Sequence, residues 1–169
     1  MSEKTIGKEM LEKLSYKKKN VYETANAEKI KAIYDYADGY MKYLDEAKTE
    51  REAVTAAIAM IEAKGFVPYV KGMALKAGDK IYLNNRGKAL LAATIGTRPI
   101  TDGVTIAAAH IDSPRLDLKP VPLYENTELA YFDTRYYGGI KKYQWVAIPL
   151  ALHGTVIRKD GTSVNVCIG

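Results

Sequence analysis

Residues 104–120 read VTIAAAHIDSPRLDLKP, and the fold assignment turns on how this stretch is taken. Residues 105–109 (TIAAA) are small and apolar without polar alternation, the pattern of a strand covered on both faces in an α/β sheet. On that reading His110 directly follows a buried strand and lies at the carboxyl edge of the sheet, where α/β proteins place their ligand sites. Asp112 follows two residues on, close enough to fix the tautomer of the imidazole and raise its basicity. By spacing alone, however, His-x-Asp fits a hydrogen-bonded structural histidine at a strand end better than a metal ligand.

Upstream the pattern is helical. Over residues 27–44 the apolar positions Ile30, Ile33, Ala37, Tyr40, Met41 and Leu44 recur every three or four residues, which predicts one buried helical face. A second helix begins after Thr49, where Thr-Glu-Arg-Glu forms a capping box: the threonine oxygen takes the amide of Glu52, and that carboxylate returns to the threonine amide. Val54, Ala57, Ile58 and Ile61 form its inner stripe, and it is expected to end at Lys64, before Gly65 and Pro68. After Gly72 the chain changes to short β-forming runs at 80–84, 89–95 and 104–109, the first two joined through Asn85-Arg86-Gly87 with Gly87 free to take positive φ. Further strands are expected near 115–120, 128–136, 148–158 and 163–168, with Asp160-Gly161 as a hairpin turn between the last two. The change of character at Pro120 and Pro122 sets a candidate boundary, with 1–119 in an α/β portion and 120–169 in a β-rich one.

Composition narrows the function classes. A chain of 169 residues that is 47% hydrophobic can bury a core. No stretch reaches the roughly 18 to 20 consecutive apolar residues that cross a bilayer, and the start, MSEKTIGKEMLEKL, lacks the apolar run of a secretory signal, so a soluble, cytoplasmic protein without membrane contact is expected. The single cysteine, Cys167, excludes an internal disulfide and a thiolate cluster; following the alternating Val164 and Val166, it reads as a small apolar residue rather than a nucleophile. Much of the +5 charge comes from Lys13, Lys17, Lys18 and Lys19 near the start, a solvated basic segment rather than a nucleic-acid surface. Of the 13 tyrosines, Tyr34, Tyr40 and Tyr43 fall within a helical pattern, so packing explains them before base stacking does. His153, between Leu152 and Gly154 in an apolar run, reads as a packed residue rather than a ligand. Asp133, Arg135, Lys141 and Lys142 read as solvated charges flanking Gly138 and Gly139, which supply a bend or a close backbone approach.

Three segments taken in order, AAAHIDSPRLDLKP at 107–120, YFDTRYYGGI at 131–140 and PLALHGTVIRKDG at 149–161, resemble the aspartyl aminopeptidase family of zinc metallopeptidases. Its members carry a His-x-Asp-Ser-Pro motif, a later Tyr-Gly-Gly segment and a Leu-x-Gly-x-Val-Ile type of strand. The Thr-Glu-Arg-Glu helix and GDKIYLNNRGKAL at 78–90 are similar to its N-terminal catalytic region. The resemblance implies two zinc ions sharing a bridging water, with His110 as a ligand of one zinc and Asp112 as the catalytic-site residue that orients it. It further implies that 120–169 open a β-rich dimerisation domain inserted into the catalytic domain, that the full-length enzyme forms a dodecameric shell, and that it removes N-terminal, perhaps acidic, residues from peptides. The bridging aspartate, the glutamate base and the other ligands lie farther along such a chain, so these 169 residues alone are expected not to catalyse. Two other readings stay open at this point: a non-catalytic chain that associates with full-length subunits, and an unrelated basic α/β binding module.

Overall fold

The computed structural model describes residues 6–169, in two compact units that divide between Met41 and Lys42. The first holds helices α1 (Ile6–Leu14) and α2 (Val21–Thr24) and the greater part of α3 (Ala27–Glu46). Asn20 caps α2 with a reciprocal Asn20/Glu23 capping box. The lysine-rich start, expected only as a solvated segment, thus contains helix. Ile30, Ile33 and Ala37 of α3 are half-buried as the periodicity predicts, whereas Tyr40, Met41 and Leu44 are exposed.

The second unit is built on α4 (Glu50–Glu62). Thr49 caps it as read from the sequence: Glu52 N donates to Thr49 Oγ1 (3.3 Å) and Thr49 N donates to Glu52 Oε2 (2.9 Å). The helix ends at Glu62 rather than Lys64, because its last turn tightens through bonds from Lys64 N to Ile61 O and from Gly65 N to Glu62 O. Gly65 then takes φ +83°, the left-handed exit that favours glycine.

α4 lies against a three-stranded sheet in the order β1 (Val67–Pro68), β2 (Lys80–Asn85), β3 (Ala89–Thr94). β1 is parallel to β2, a pairing the sequence did not announce, and β2–β3 is the expected hairpin, with Arg86 and Gly87 both at positive φ. Tyr82 of β2 is buried and its hydroxyl donates to Glu62 Oε1. Among the described residues, the buried apolar side chains are Ala47, Ala53, Val54, Ala56 and Tyr82, so the core sits at this helix–sheet contact.

Two antiparallel hairpins follow, β4 (Arg115–Asn126) with β5 (Leu129–Tyr137), and β6 (Leu152–Ile157) with β7 (Ser163–Ile168). In the first, Leu118 pairs with Thr134 and Leu123 with Phe132, so residues 119–122 bulge opposite Asp133 alone. Pro120 and Pro122 have no N–H to offer the ladder, which accounts for the bulge. The expected boundary at 119/120 falls inside it. The two-residue turn holds Thr127 at φ +52° and Glu128 at φ +60°, although neither is a residue that favours that region.

One sequence expectation fails here. Residues 104–109 form no strand, and all six are exposed. A strand covered on both faces needs neighbours to satisfy its backbone and layers to cover it, and among the described residues no segment pairs with this one. The apolar run therefore leads to His110 without strand pairing.

Candidate metal and positioning site

His110 lies on this unpaired stretch, its side chain 82% exposed, rather than at a sheet edge. Its Nδ1 is 2.9 Å from the backbone oxygen of Asp112 and 3.3 Å from Asp112 Oδ1. Both neighbours can only accept, so in the neutral ring Nδ1 carries the hydrogen and the lone pair sits on Nε2. That is the tautomer in which an imidazole offers Nε2 to a metal while a carboxylate steadies the other nitrogen.

Hydrogen bonding from Tyr137, followed by the residue's own backbone amide, lowers the Asp112 carboxyl from its ordinary value. The same bond raises the Tyr137 phenol. Arg115, paired with Tyr137 across the β4–β5 ladder, places its guanidinium 4.2 Å from the centre of the Tyr137 ring. Its Nε donates to Asp117 Oδ1 (2.7 Å), its Nη1 to Ser113 O (3.4 Å), and its Nη2 lies 3.7 Å from Glu50 Oε2 in the first turn of α4. Gly138 turns at φ +75° against Pro114. The bend expected at Gly138-Gly139 is thus the point where the Tyr-Gly-Gly segment meets the His-x-Asp-Ser-Pro segment.

A second cluster lies at the opening of α4. Glu52 spends one carboxylate oxygen on the cap, and the other lies 2.9 Å from Nδ1 of His153 in β6. Partial burial pushes the Glu52 carboxyl up, but hydrogen bonds from His153 and from the Thr49 hydroxyl and amide outweigh it and leave the group below its ordinary value. His153 Nε2 is 3.9 Å from Sγ of Cys167, its partner across the β6–β7 ladder. The histidine therefore has a specific polar partner rather than simple apolar packing, and Cys167, read as a small apolar residue, is exposed because its strand lies in a two-stranded hairpin. Sequence reasoning missed this pair: Glu52 and His153 are 101 residues apart, and the carboxylate was already accounted for by the cap. The expected surface charges are in part cross-strand pairs, with Lys119 Nζ 3.0 Å from Asp133 and Arg135 3.9 Å from Asp117, while Lys142 lies over the Tyr136 ring.

Among the described residues no three His, Cys, Asp or Glu side chains converge as a metal site. The chemistry of the His110 ring, with Nδ1 engaged by Asp112 and the lone pair on Nε2, suits the contribution of one metal ligand. An open cleft of about 490 Å³ between α4, the β2–β3 turn and the β6–β7 hairpin does not have His110 or Asp112 in its walls.

The comparison with known sequences decides the family. The profile of the family described as Aminopeptidase I zinc metalloprotease (M18) matches residues 43–168. The chain belongs to the M18 aminopeptidase family. A probable M18 family aminopeptidase 1 of Clostridium acetobutylicum is 50% identical over 155 residues, which cover 89% of this chain and 33% of that protein. Aminopeptidase I from Borrelia burgdorferi B31 superimposes with a TM-score of 0.84 at 40% identity, over 89% of this chain and 37% of that one. The M18 aminopeptidase of Thermotoga maritima does so at 0.81 and 39% identity, over 91% and 33%. This M18 chain thus spans about a third of the length of the curated relatives it matches. Among the described residues no helix is long and apolar enough to cross a membrane.

Proposed function

We propose that this chain supplies the N-terminal portion of a zinc aminopeptidase that removes N-terminal residues, acidic ones among them, from peptides, with His110 as a ligand of one of two zinc ions and Asp112 orienting it. The observation that carries the reading is the His110 ring, with Nδ1 held by Asp112 and Nε2 left open on an exposed segment, in a chain of a zinc peptidase family. When bound, the zinc pair would lower the pKa of a water and polarise the scissile carbonyl. The part this chain plays is narrower: Asp112 accepts the Nδ1 hydrogen, which fixes the tautomer and the ring plane and keeps Nε2 free of a proton. Among the described residues no group of three His, Cys, Asp or Glu side chains stands ready to hold a metal, so the chain by itself binds zinc weakly and does not turn over peptide.

The β-rich portion from residue 120 onward is the opening of a domain through which copies of the enzyme associate. Large apolar side chains left open on β4 and β5, with Val121, Leu123, Leu129 and Phe132 each more than half exposed, support that reading. A single free cysteine and the peptide substrate fit a cytoplasmic enzyme. The test is a chimera in which this chain replaces the matching third of the Clostridium acetobutylicum relative. His110→Ala is expected to abolish stoichiometric zinc and cleavage, and Asp112→Asn, whose amide oxygen still accepts a hydrogen bond, to weaken either by about 10- to 100-fold. Full zinc and full activity in both variants would overturn the assignment.

A further inference from the structure

Three side chains from three elements meet where α4 approaches the last hairpin. Glu52, in the first turn of α4, sets Oε1 2.9 Å from His153 Nδ1 in β6, and His153 Nε2 stands 3.9 Å from Cys167 Sγ in β7. A carboxylate can only accept, so in the neutral ring the hydrogen sits on Nδ1 and the Nε2 lone pair is turned to the thiol. His153 and Cys167 are directly paired across the ladder, so strand register rather than loop conformation brings imidazole and thiol together. By alternation, Ser163, Asn165 and Cys167 share one face of β7, with Thr155 and His153 opposite the last two, and Glu52 meets that face from α4. The cleft of about 490 Å³ is lined by Glu52 and, from the same face, by Thr155, Ser163 and Asn165, which leaves room near the exposed thiol for a small molecule.

We propose that Cys167 is a reactive thiol that takes up small disulfides, with His153 as its base and Glu52 as the positioning residue of that base. Nucleophile, base and orienting carboxylate follow in the order by which a weak nucleophile is activated. In the reaction Sγ attacks one sulfur of the disulfide, and the S–S bond of the reagent breaks as the new one forms. The thiol hydrogen passes to His153 Nε2, and the departing thiolate takes a proton back from the ring. The products are a mixed disulfide at Cys167 and one equivalent of free thiol, so the reagent is itself the oxidant. The apolar neighbours of Cys167 in sequence conceal this partnership, because the base lies 14 residues away on another strand. The inference does not depend on zinc or on His110.

The chain has a single cysteine, so bulk labelling reads Cys167 alone. The 169-residue chain is mixed at pH 7 with dithiodipyridine, a neutral disulfide whose released thione absorbs, both folded and in denaturing urea. The folded parent should react about 10-fold faster than the unfolded chain, less than the usual share of a general base because thiol and imidazole are 3.9 Å apart. Mass spectrometry should show a single adduct that dithiothreitol removes. His153→Ala, shown folded by circular dichroism, should react no faster than the unfolded parent. Glu52→Gln keeps an acceptor for Nδ1 but loses the charge, and its rate should fall between those of the folded parent and His153→Ala. A folded parent no faster than the unfolded chain would overturn the proposal, as would equal rates in the parent and His153→Ala. If His153→Ala does not fold, the Glu52→Gln rate decides, and a rate equal to that of the parent overturns the relay.

Discussion

Replacing Glu52 and His153 singly and together should reveal a coupling that links the opening of α4 to β6. Glu52→Ala leaves the Thr49 hydroxyl as acceptor for the residue 52 amide but removes the Oε2 bond to Thr49 N and the Oε1 bond to His153, both 2.9 Å. One lost cap bond costs about 0.5–1 kcal/mol. The second partnership joins a carboxylate side chain 34% exposed to a ring 21% exposed, so solvent screens it and its share is again about 0.5–1 kcal/mol. Glu52→Ala should therefore destabilise by about 1–2 kcal/mol, His153→Ala by about 1 kcal/mol, and the double variant by less than their sum, with a coupling of about 0.5–1 kcal/mol. Urea unfolding at pH 7, with hydrogen exchange at the Ala53 and Val54 amides as a local probe of α4, measures each corner of the cycle. A coupling below about 0.2 kcal/mol would show that the two side chains do not meet in solution and refute the contact.

The same carboxylate sets a pH dependence. Its pKa is lowered by folding, so the stabilisation is complete above the unfolded value of about 4.3 and is lost as pH falls through the folded one. Glu52→Gln, which can still cap Thr49, should have a shallower loss of stability below about pH 5 than the parent, and matching acid limbs would count against the bond. At the β4–β5 turn, Thr127→Asn with Glu128→Gly should relieve two positive-φ positions and stabilise the hairpin by about 1 kcal/mol, read as about fivefold slower exchange of its amides; no gain would mean the turn carries no strain. The 169-residue chain should show no chelator-sensitive peptide cleavage with zinc, cobalt or manganese, and turnover that vanishes with chelator would show that the ligand set had been misjudged.

Where structure follows from neighbours in sequence, it was legible. The Thr49–Glu52 box, the exit at Gly65 and the Asp160-Gly161 hairpin each depend on a few adjacent residues, and each stands where the residues predict. The approach of the Tyr-Gly-Gly turn to Pro114 was half legible: the glycines announced a bend or a close contact, but not its partner. What depends on distant chain was not readable. The run at 105–109 has the composition of a buried strand, yet composition does not supply the neighbours such a strand needs. Glu52 bonding to His153 joins residues that no local pattern connects. The turn at Thr127-Glu128 lacks the glycine or asparagine that marks such turns, so the register of the flanking strands decides it instead.

The claim on which the account rests is that His110 contributes a nitrogen to zinc. Zinc bound per chain, determined after dialysis in the chimera with the Clostridium acetobutylicum relative, tests it most directly when the parent and His110→Ala are prepared side by side. The account predicts that His110→Ala retains the fold by circular dichroism and loses stoichiometric zinc together with peptide cleavage. Full zinc occupancy and unchanged cleavage in His110→Ala would contradict it.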